Sequence, residues 1–160
     1  MALIAIDPGN VQSAYVRLTD SLDPRDGVFG KEDNNNLLKV LEDVHKDDEV
    51  VIEMVACYGM PVGEEIFETV YWIGKYAMMA EYHGATVTRI KRQAVKLHLC
   101  HDSRAKDGNV IQALKDRFGG KGTKAAPGWF YQVGGDVWQA YGLAIAYSDT
   151  RVQARDGARG

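Results

Sequence analysis

Short apolar runs separated by turn residues give the first outline of the fold. The runs typical of strands occupy residues 2–7, 13–18, 27–30, 49–55 and 85–90. Pro8, Gly9 and Asn10 follow the first run, and a turn at these residues would pair it with the second run as a hairpin. The first part of the chain therefore predicts a sheet that begins with antiparallel strands.

Longer stretches with apolar residues three and four positions apart predict helices between and after the later strands. These helices are predicted at residues 34–48, 64–84, 92–100, 103–120 and 136–150. Ser103 is the predicted N-cap of the fourth helix, and Gly119-Gly120 is its predicted end. Strands followed by alternating helices and strands indicate an α/β fold, with a mixed sheet and helices on both faces.

Length and composition favour one globular domain of the ordinary soluble class. The chain has 160 residues, of which 46% are apolar and 26% are charged. We predict that residues 1–150 form this domain. Residues 151–160 are polar and contain glycine, and we predict that they form a disordered C-terminal tail.

Three features predict a cytoplasmic protein. No apolar run approaches the roughly 18 residues of a membrane helix. The N-terminus lacks the basic start and the small-residue cleavage site of a secretory signal. Cys57 and Cys100 are too few for a disulfide framework, which is typical of a reducing compartment.

The charge is distributed unevenly along the chain. The net charge is −3, which taken alone argues against a nucleic-acid partner. Residues 89–124, however, contain ten basic residues and three acids, a net of +7, so the rest of the chain carries −10. Such polarity is typical of a protein with one basic face for a polyanion. The alternative is solvated charge scattered over helix surfaces.

Three acidic residues stand at predicted element ends. Asp7 ends the first strand, Glu53 lies near the end of another core strand, and Asp136 opens the last helix. Carboxylates brought together in one place repel each other unless a cation joins them, and oxygen ligands suit Mg²⁺ or Mn²⁺. Two such ions about 4 Å apart promote in-line attack on a phosphodiester. Separately, the three acids could be a turn residue, a strand-end residue and an N-cap.

Several motifs together resemble a known family. "AIDPG" with the following hairpin, "VVIE", "IKRQAVKLHL", "SRAKDGNVIQAL" and "DVWQAYGLAIAY" are similar to RuvC-type Holliday junction resolvases of the ribonuclease H-like superfamily. "YGMPVGEEIFETVYWIG" resembles in particular the compact RuvC-like proteins of bacteriophages. The resemblance covers nearly the whole chain, in the family's order.

The resemblance implies a homodimeric, Mg²⁺-dependent endonuclease that cuts Holliday junctions and other branched DNA. Asp7, Glu53 and Asp136 match the family's catalytic and metal-binding acids, which would hold two Mg²⁺ ions, with Mn²⁺ as a substitute. Lys96 matches the lysine of the family's "VK", and it is expected to stabilise charge on the phosphoryl group. The residues expected to contact DNA are Lys91, Arg92, Lys96, Arg104, Lys106 and Tyr58.

The chain departs from the family pattern at a few positions. Gln139 stands where the family has a second acid in the last helix, so we expect it to support catalysis without adding negative charge. Glu64 or Glu65 would be a less favoured substitute for that acid. Ala56 replaces the family's aromatic wedge, and we expect Tyr58 to stack on an opened base instead. Ser13-Ala14 replaces a pair that usually contains glycine.

The departures leave alternative functions open. One is a broader nuclease for forks and flaps, and another is a junction-binding protein whose catalysis Gln139 has weakened. RNA processing is less favoured, because the basic segment resembles junction-cutting members. The expected location is the cytoplasm of a bacterial host, with no membrane partner.

Three further features allow more than one interpretation. The helix at 64–84 is apolar on more than one face, which predicts a homodimer seam or, alternatively, complete burial in the core. Residues 129–131 are aromatic and predict core packing, with base stacking as the alternative. His98, Cys100 and His101, with Cys57, could suggest zinc, but their spacing is not that of a structural zinc site.

Overall fold

A computed structural model describes residues 1–159 and has one mixed sheet between two layers of helices. The strands are β1 (Leu3–Asp7), β2 (Gln12–Leu18), β3 (Val28–Asp33), β4 (Glu49–Met54) and β5 (Thr86–Lys91). The helices are α1 (Asn34–Leu41), α2 (Glu64–Tyr82), α3 (Arg92–Cys100), α4 (Asp107–Phe118) and α5 (Val137–Ala158). A short 3-10 helix, Pro24–Asp26, precedes β3.

The strand order in the sheet is β3-β2-β1-β4-β5. β1 pairs antiparallel with β2, and β2 pairs antiparallel with β3, whereas β4 lies parallel to both β1 and β5. This arrangement confirms the predicted mixed sheet, antiparallel first and then parallel. It also directs the carboxyl ends of β1, β4 and β5 to one edge.

The two faces of the sheet carry separate hydrophobic cores. Ile4 and Ile6 point to the face that α1 and α2 cover. Leu3 and Ala5 point to the opposite face, which α5 covers together with α3 and α4. Because side chains alternate along a strand, Asp7 lies on the α5 face.

The register of β1 and β4 sets the level of the acids. Ile6 is opposite Ile52 in the parallel ladder. The next residues along the two strands are Asp7 and Glu53, so these acids come to the same sheet edge and face.

The end of α1 and the start of α4 differ from the predictions. α1 ends at Leu41 instead of residue 48, because the following turn is held by Asp48, whose carboxylate accepts hydrogen bonds from the His45 and Ala2 amides. α4 begins at Asp107, and Ser103 is not its cap. The cap at this end is the side chain of Asn109, which accepts a hydrogen bond from the Lys106 amide.

The predicted C-terminal tail is wrong over most of its length. α5 continues through residues 151–158, and Gly157 in its last turn is the glycine of this extension. Arg151 ties this extension to the body of the protein through an ion pair with Glu49 on β4. Gly160 lies outside the described residues.

The aromatic segment after the fourth helix packs into the core. Phe130 is fully buried, and Trp129 stacks on Phe118 with ring centroids 5.1 Å apart. The Trp129 indole N–H donates to the Tyr141 hydroxyl at 3.0 Å, and that hydroxyl donates to the Leu22 carbonyl at 2.9 Å. Within residues 1–159, no helix has both the length and the hydrophobicity needed to span a membrane.

Candidate active site

Two carboxylates and one guanidinium meet at the carboxyl edge of β1 and β4. The Arg92 Nε lies 3.1 Å from Glu53 Oε1, and its Nη2 lies 3.8 Å from Asp7 Oδ1. The side chains of Asp7 and Glu53 are only 13% and 11% exposed. Asp7 at the tip of a core strand is therefore met by a cation of the protein's own, on the first residue of α3.

Burial makes both carboxylates hard to ionise. Burial raises the pKa of Asp7 to about 7, with a further contribution from the charge of Glu53 that outweighs the opposing effect of Arg92. Burial also raises the pKa of Glu53, and Arg92 opposes this rise. Full ionisation would therefore put two negative charges beside one guanidinium at a poorly solvated position.

The third predicted acid is held a short distance away. Asp136 precedes α5, and its carboxylate accepts a hydrogen bond from the Lys31 ammonium at 2.7 Å. Its side chain is 53% exposed. Its charge still contributes to raising the pKa of Asp7, so it belongs to the same electrostatic environment. The described part of the chain contains no group of three or more acidic, histidine or cysteine side chains placed to hold one ion.

Asp107 is a fourth acid near the site, and it was not among the three acids predicted from the sequence. It is the first residue of α4, and its carboxylate lies 3.4 Å from the Lys96 ammonium. Its charge contributes to raising the pKa of both Asp7 and Glu53. The sequence signals for it are its place in the motif SRAKDGNVIQAL and its position at a helix start inside a basic segment.

Lys96 and Gln139 lie on two of the helices that cover the Asp7 face of the sheet. The side chain of Lys96 is largely covered, and its charge lowers the pKa of Glu53, which places it within electrostatic reach of the pair. Gln139 is buried in the first turn of α5, on the helix that covers the Asp7 face of the sheet.

The other predicted DNA-binding residues lie on the surface around this edge. Lys91 ends β5, and Arg104 and Lys106 lie in the segment between α3 and α4; all three are exposed. Tyr58 lies in the loop between β4 and α2 and is 54% exposed. Arg92 differs from this group, because in the described structure it pairs with the acids.

A buried polar network fixes the turn that follows Asp7. The Ser13 hydroxyl donates to Asn34 Oδ1 at 2.7 Å and accepts from the Gly9 amide at 3.1 Å. The Asn34 side-chain amide donates to the Gly9 carbonyl at 3.0 Å, and the Tyr76 hydroxyl lies 3.0 Å from Ser13 Oγ. A Cβ at Gly9 would collide with the Gln12 carbonyl oxygen, so this close turn requires glycine.

His98 has a carboxylate partner on α5 in this structure. His98 Nε2 lies 2.8 Å from Asp149, and Asp149 also accepts two hydrogen bonds from Arg117. Cys57 is an exposed loop residue.

The fold has clear counterparts among solved structures. The structure of RuvC from Thermus thermophilus superposes with a TM-score of 0.64 at 19% identity, covering 98% of this chain and 97% of that chain. The chain has the RuvC fold. A second structure, T. thermophilus RuvC in complex with Holliday junction substrate, also gives a TM-score of 0.64, at 17% identity, covering 92% of this chain and 93% of that chain. No family model and no curated protein matches the sequence.

The RuvC fold confirms the ribonuclease H-like architecture expected from the motifs. The chemistry of the site follows from its own residues. Two buried carboxylates form an anionic pair that can bind a cation through oxygen ligands, and basic side chains surround it at the surface.

Proposed function

We propose that this protein is a Mg²⁺-dependent, structure-specific endonuclease that hydrolyses phosphodiester bonds in Holliday junctions and other branched DNA. The observation that carries the proposal is the buried Asp7–Glu53 pair at the ends of two parallel strands. The RuvC fold of the chain agrees with this proposal, since one of the similar structures is a RuvC bound to a Holliday junction substrate.

The donor set fits Mg²⁺, with Mn²⁺ as a substitute. Asp7 and Glu53 offer only oxygen ligands, and a divalent ion would offset the negative charges that burial makes costly at this position. Asp136 is the proposed third ligand, and it would have to leave Lys31 to act. When bound, one or two Mg²⁺ ions would lower the pKa of a coordinated water and polarise the phosphoryl oxygens.

The remaining site residues have proposed roles toward DNA. Lys96 lies beside the acids and would stabilise negative charge on the phosphoryl group. Gln139 would contribute a neutral carbonyl oxygen. Lys91, Arg104 and Lys106 would bind phosphates, and exposed Tyr58 would stack on an opened base.

We further propose that the protein works as a homodimer through α2 in the cytoplasm of a bacterial host, as the motif resemblance to phage RuvC-like proteins suggests. Exposed apolar side chains on this helix support the seam, among them Phe67 at 65% and Tyr71 at 58% exposure. Two sites related by a two-fold axis suit a four-way junction.

A second candidate is a junction-binding protein with weakened catalysis. The observation that favours it is the separation of Asp136 from the buried pair, together with the neutral Gln139 in the first turn of α5.

Cleavage of a labelled four-way junction tests the proposal, with a fork, a flap and a linear duplex beside it. We expect symmetric nicks on the junction with Mg²⁺ or Mn²⁺ and none with chelator. Asp7→Asn and Glu53→Gln should lower the rate by at least about a thousandfold while leaving junction binding within a few-fold.

Different outcomes separate the candidates. Equal cleavage of forks and flaps would favour the broader nuclease. Tight junction binding without cleavage in either metal would favour the binding protein. Wild-type cleavage by Asp7→Asn would remove Asp7 from the mechanism.

A further inference from the structure

Arg92 occupies a position in which one side chain can serve two different partners. Its guanidinium lies between Asp7 and Glu53, at 3.8 Å and 3.1 Å, yet the side chain remains 41% exposed. The buried Nε has no aligned hydrogen bond to any described residue. The attraction is therefore one of charge, without the directed pairing that makes an arginine–carboxylate contact rigid.

This guanidinium and a divalent cation would compete for the same oxygens. Mg²⁺ lies about 2.1 Å from its carboxylate ligands, so an ion on Asp7 and Glu53 would be within a few ångströms of the present guanidinium. Like charges at that distance repel strongly where water is scarce. Occupation by an ion therefore requires Arg92 to withdraw.

The neighbouring surface offers a reason for the withdrawn side chain to face DNA. Arg92 begins α3 directly after exposed Lys91, and exposed Arg104 and Lys106 lie on the segment before α4. Lys96 pairs with Asp107, whereas Arg92 pairs with the two buried acids, Asp7 and Glu53. A guanidinium binds a phosphate with two parallel hydrogen bonds.

We propose that Arg92 exchanges partners: its guanidinium bridges Asp7 and Glu53 in the free protein and binds a DNA phosphate when a divalent cation occupies these carboxylates. This inference rests on the proposed function and assigns Arg92 two alternating contacts within the same site. The exchange keeps the acids together before the ion binds, and it couples ion binding to the affinity for DNA.

The first test is Mn²⁺ binding measured by calorimetry on the DNA-free protein. Arg92→Gln should bind Mn²⁺ at least about tenfold more tightly than the wild type, because a competing positive charge is gone. Arg89→Gln, a matched change of an exposed arginine on β5, should leave the affinity unchanged. Arg92→Lys retains the charge, so its Mn²⁺ affinity should lie between those of the wild type and Arg92→Gln. This variant tests the competition even if Arg92→Gln folds poorly.

The second test is the salt dependence of junction binding, with the DNA verified as intact after each titration. Mn²⁺ also acts as a DNA counterion and changes the slope of log affinity against log salt for every variant, so the quantity compared is the difference in slope between the wild type and Arg92→Gln. This difference should grow by about one unit when Mn²⁺ replaces chelator, since the wild type neutralises one more phosphate. Arg89→Gln should show the same change in slope as the wild type.

The outcomes distinguish this inference from the proposed function. Equal Mn²⁺ affinity in the wild type and Arg92→Gln, or a difference in slope between them that is the same with Mn²⁺ and with chelator, overturns the partner exchange and leaves the metal nuclease standing. If neither protein binds Mn²⁺ while both bind the junction, the metal-dependent nuclease itself fails.

Discussion

Asp7 is an acid whose ionisation works against folding. Its pKa rises from 3.8 to about 7, with burial as the largest cause. Between these values the folded protein binds more protons than the unfolded chain, so its free energy of unfolding falls as pH rises. The contribution from neutral Asp7 is complete below about pH 4 and is lost as pH rises through about 7.

Asp7→Asn is therefore expected to stabilise the metal-free protein at high pH. At about pH 8 the gain should approach about 4 kcal/mol, because one pKa unit corresponds to about 1.4 kcal/mol, and it should shrink toward about pH 4. Urea unfolding across this range, with chelator present, measures the difference. Asp43→Asn, at an exposed carboxylate after α1, should instead run parallel to the wild type. Parallel curves for Asp7→Asn would mean that Asp7 ionises as easily in the folded protein as in the unfolded chain.

The residues of the site were only partly predictable from sequence. Asp7 and Glu53 could be placed together because two apolar strands each end in an acid and parallel strands share a carboxyl edge. The pairing of Arg92 with both acids depends on where α3 begins relative to the sheet, which no local pattern encodes. The same holds for the Lys31–Asp136 contact, whose partners are 105 residues apart.

At the scale of elements, the predictions worked best where periodicity was strong and worst where side chains define the boundary. Every predicted strand and helix exists, and the heavily apolar strands are nearly correct in length. α1 stops early because Asp48 accepts hydrogen bonds from two backbone amides. These bonds stabilise a turn in place of further helix, and helix propensity does not predict them. α4 starts late because Asn109, and not Ser103, supplies the cap.

The extension of α5 is the largest such difference, and Arg151 is the residue that explains it. The side chains of Arg151 and Glu49 are 19% and 15% exposed, so the ion pair joins the end of the helix to β4 away from most solvent. Arg151 also lies over the Tyr147 ring, with its guanidinium carbon 5.9 Å from the ring centroid. A long-range partner, absent from any local window of sequence, thus anchors residues that composition alone predicts to be a tail.

Arg151→Met should therefore destabilise the protein by about 2 kcal/mol, because Glu49 would be left largely covered without its partner. Arg155→Met, one turn further along α5 and exposed, should change stability by less than about 0.5 kcal/mol. Chemical denaturation of both variants measures the contrast. If the two substitutions cost the same, the Arg151–Glu49 pair does not anchor the end of α5.

At the scale of the whole molecule, α2 divides its surface between the core and an uncovered apolar strip. Trp72, Ile73 and Tyr76 are buried against the sheet. The exposed apolar side chains of the helix are Ile66, Phe67, Val70, Tyr71, Met78 and Tyr82. Large aromatic side chains left in water on one helix are typical of a surface that another protein covers.

Mutation of this strip can test whether it forms the homodimer interface. Phe67→Glu should abolish self-association, because it places a charge in the apolar seam without disturbing the buried face of α2. Sedimentation equilibrium at micromolar concentration should show a mass near twice 17.7 kDa for the wild type and near 17.7 kDa for the variant. Val152→Glu, a matched change of an exposed apolar residue on α5, should remain dimeric.

The same variants connect assembly to function. A two-fold pair of sites can cut opposing strands of one junction, whereas a monomer cuts one strand at a time. Phe67→Glu should therefore produce single nicks while Val152→Glu produces paired ones, since neither residue belongs to the acidic site. A wild-type protein that sediments as 17.7 kDa at all concentrations would remove the dimer. Paired cuts by such a monomer would then require two independent binding events on each junction.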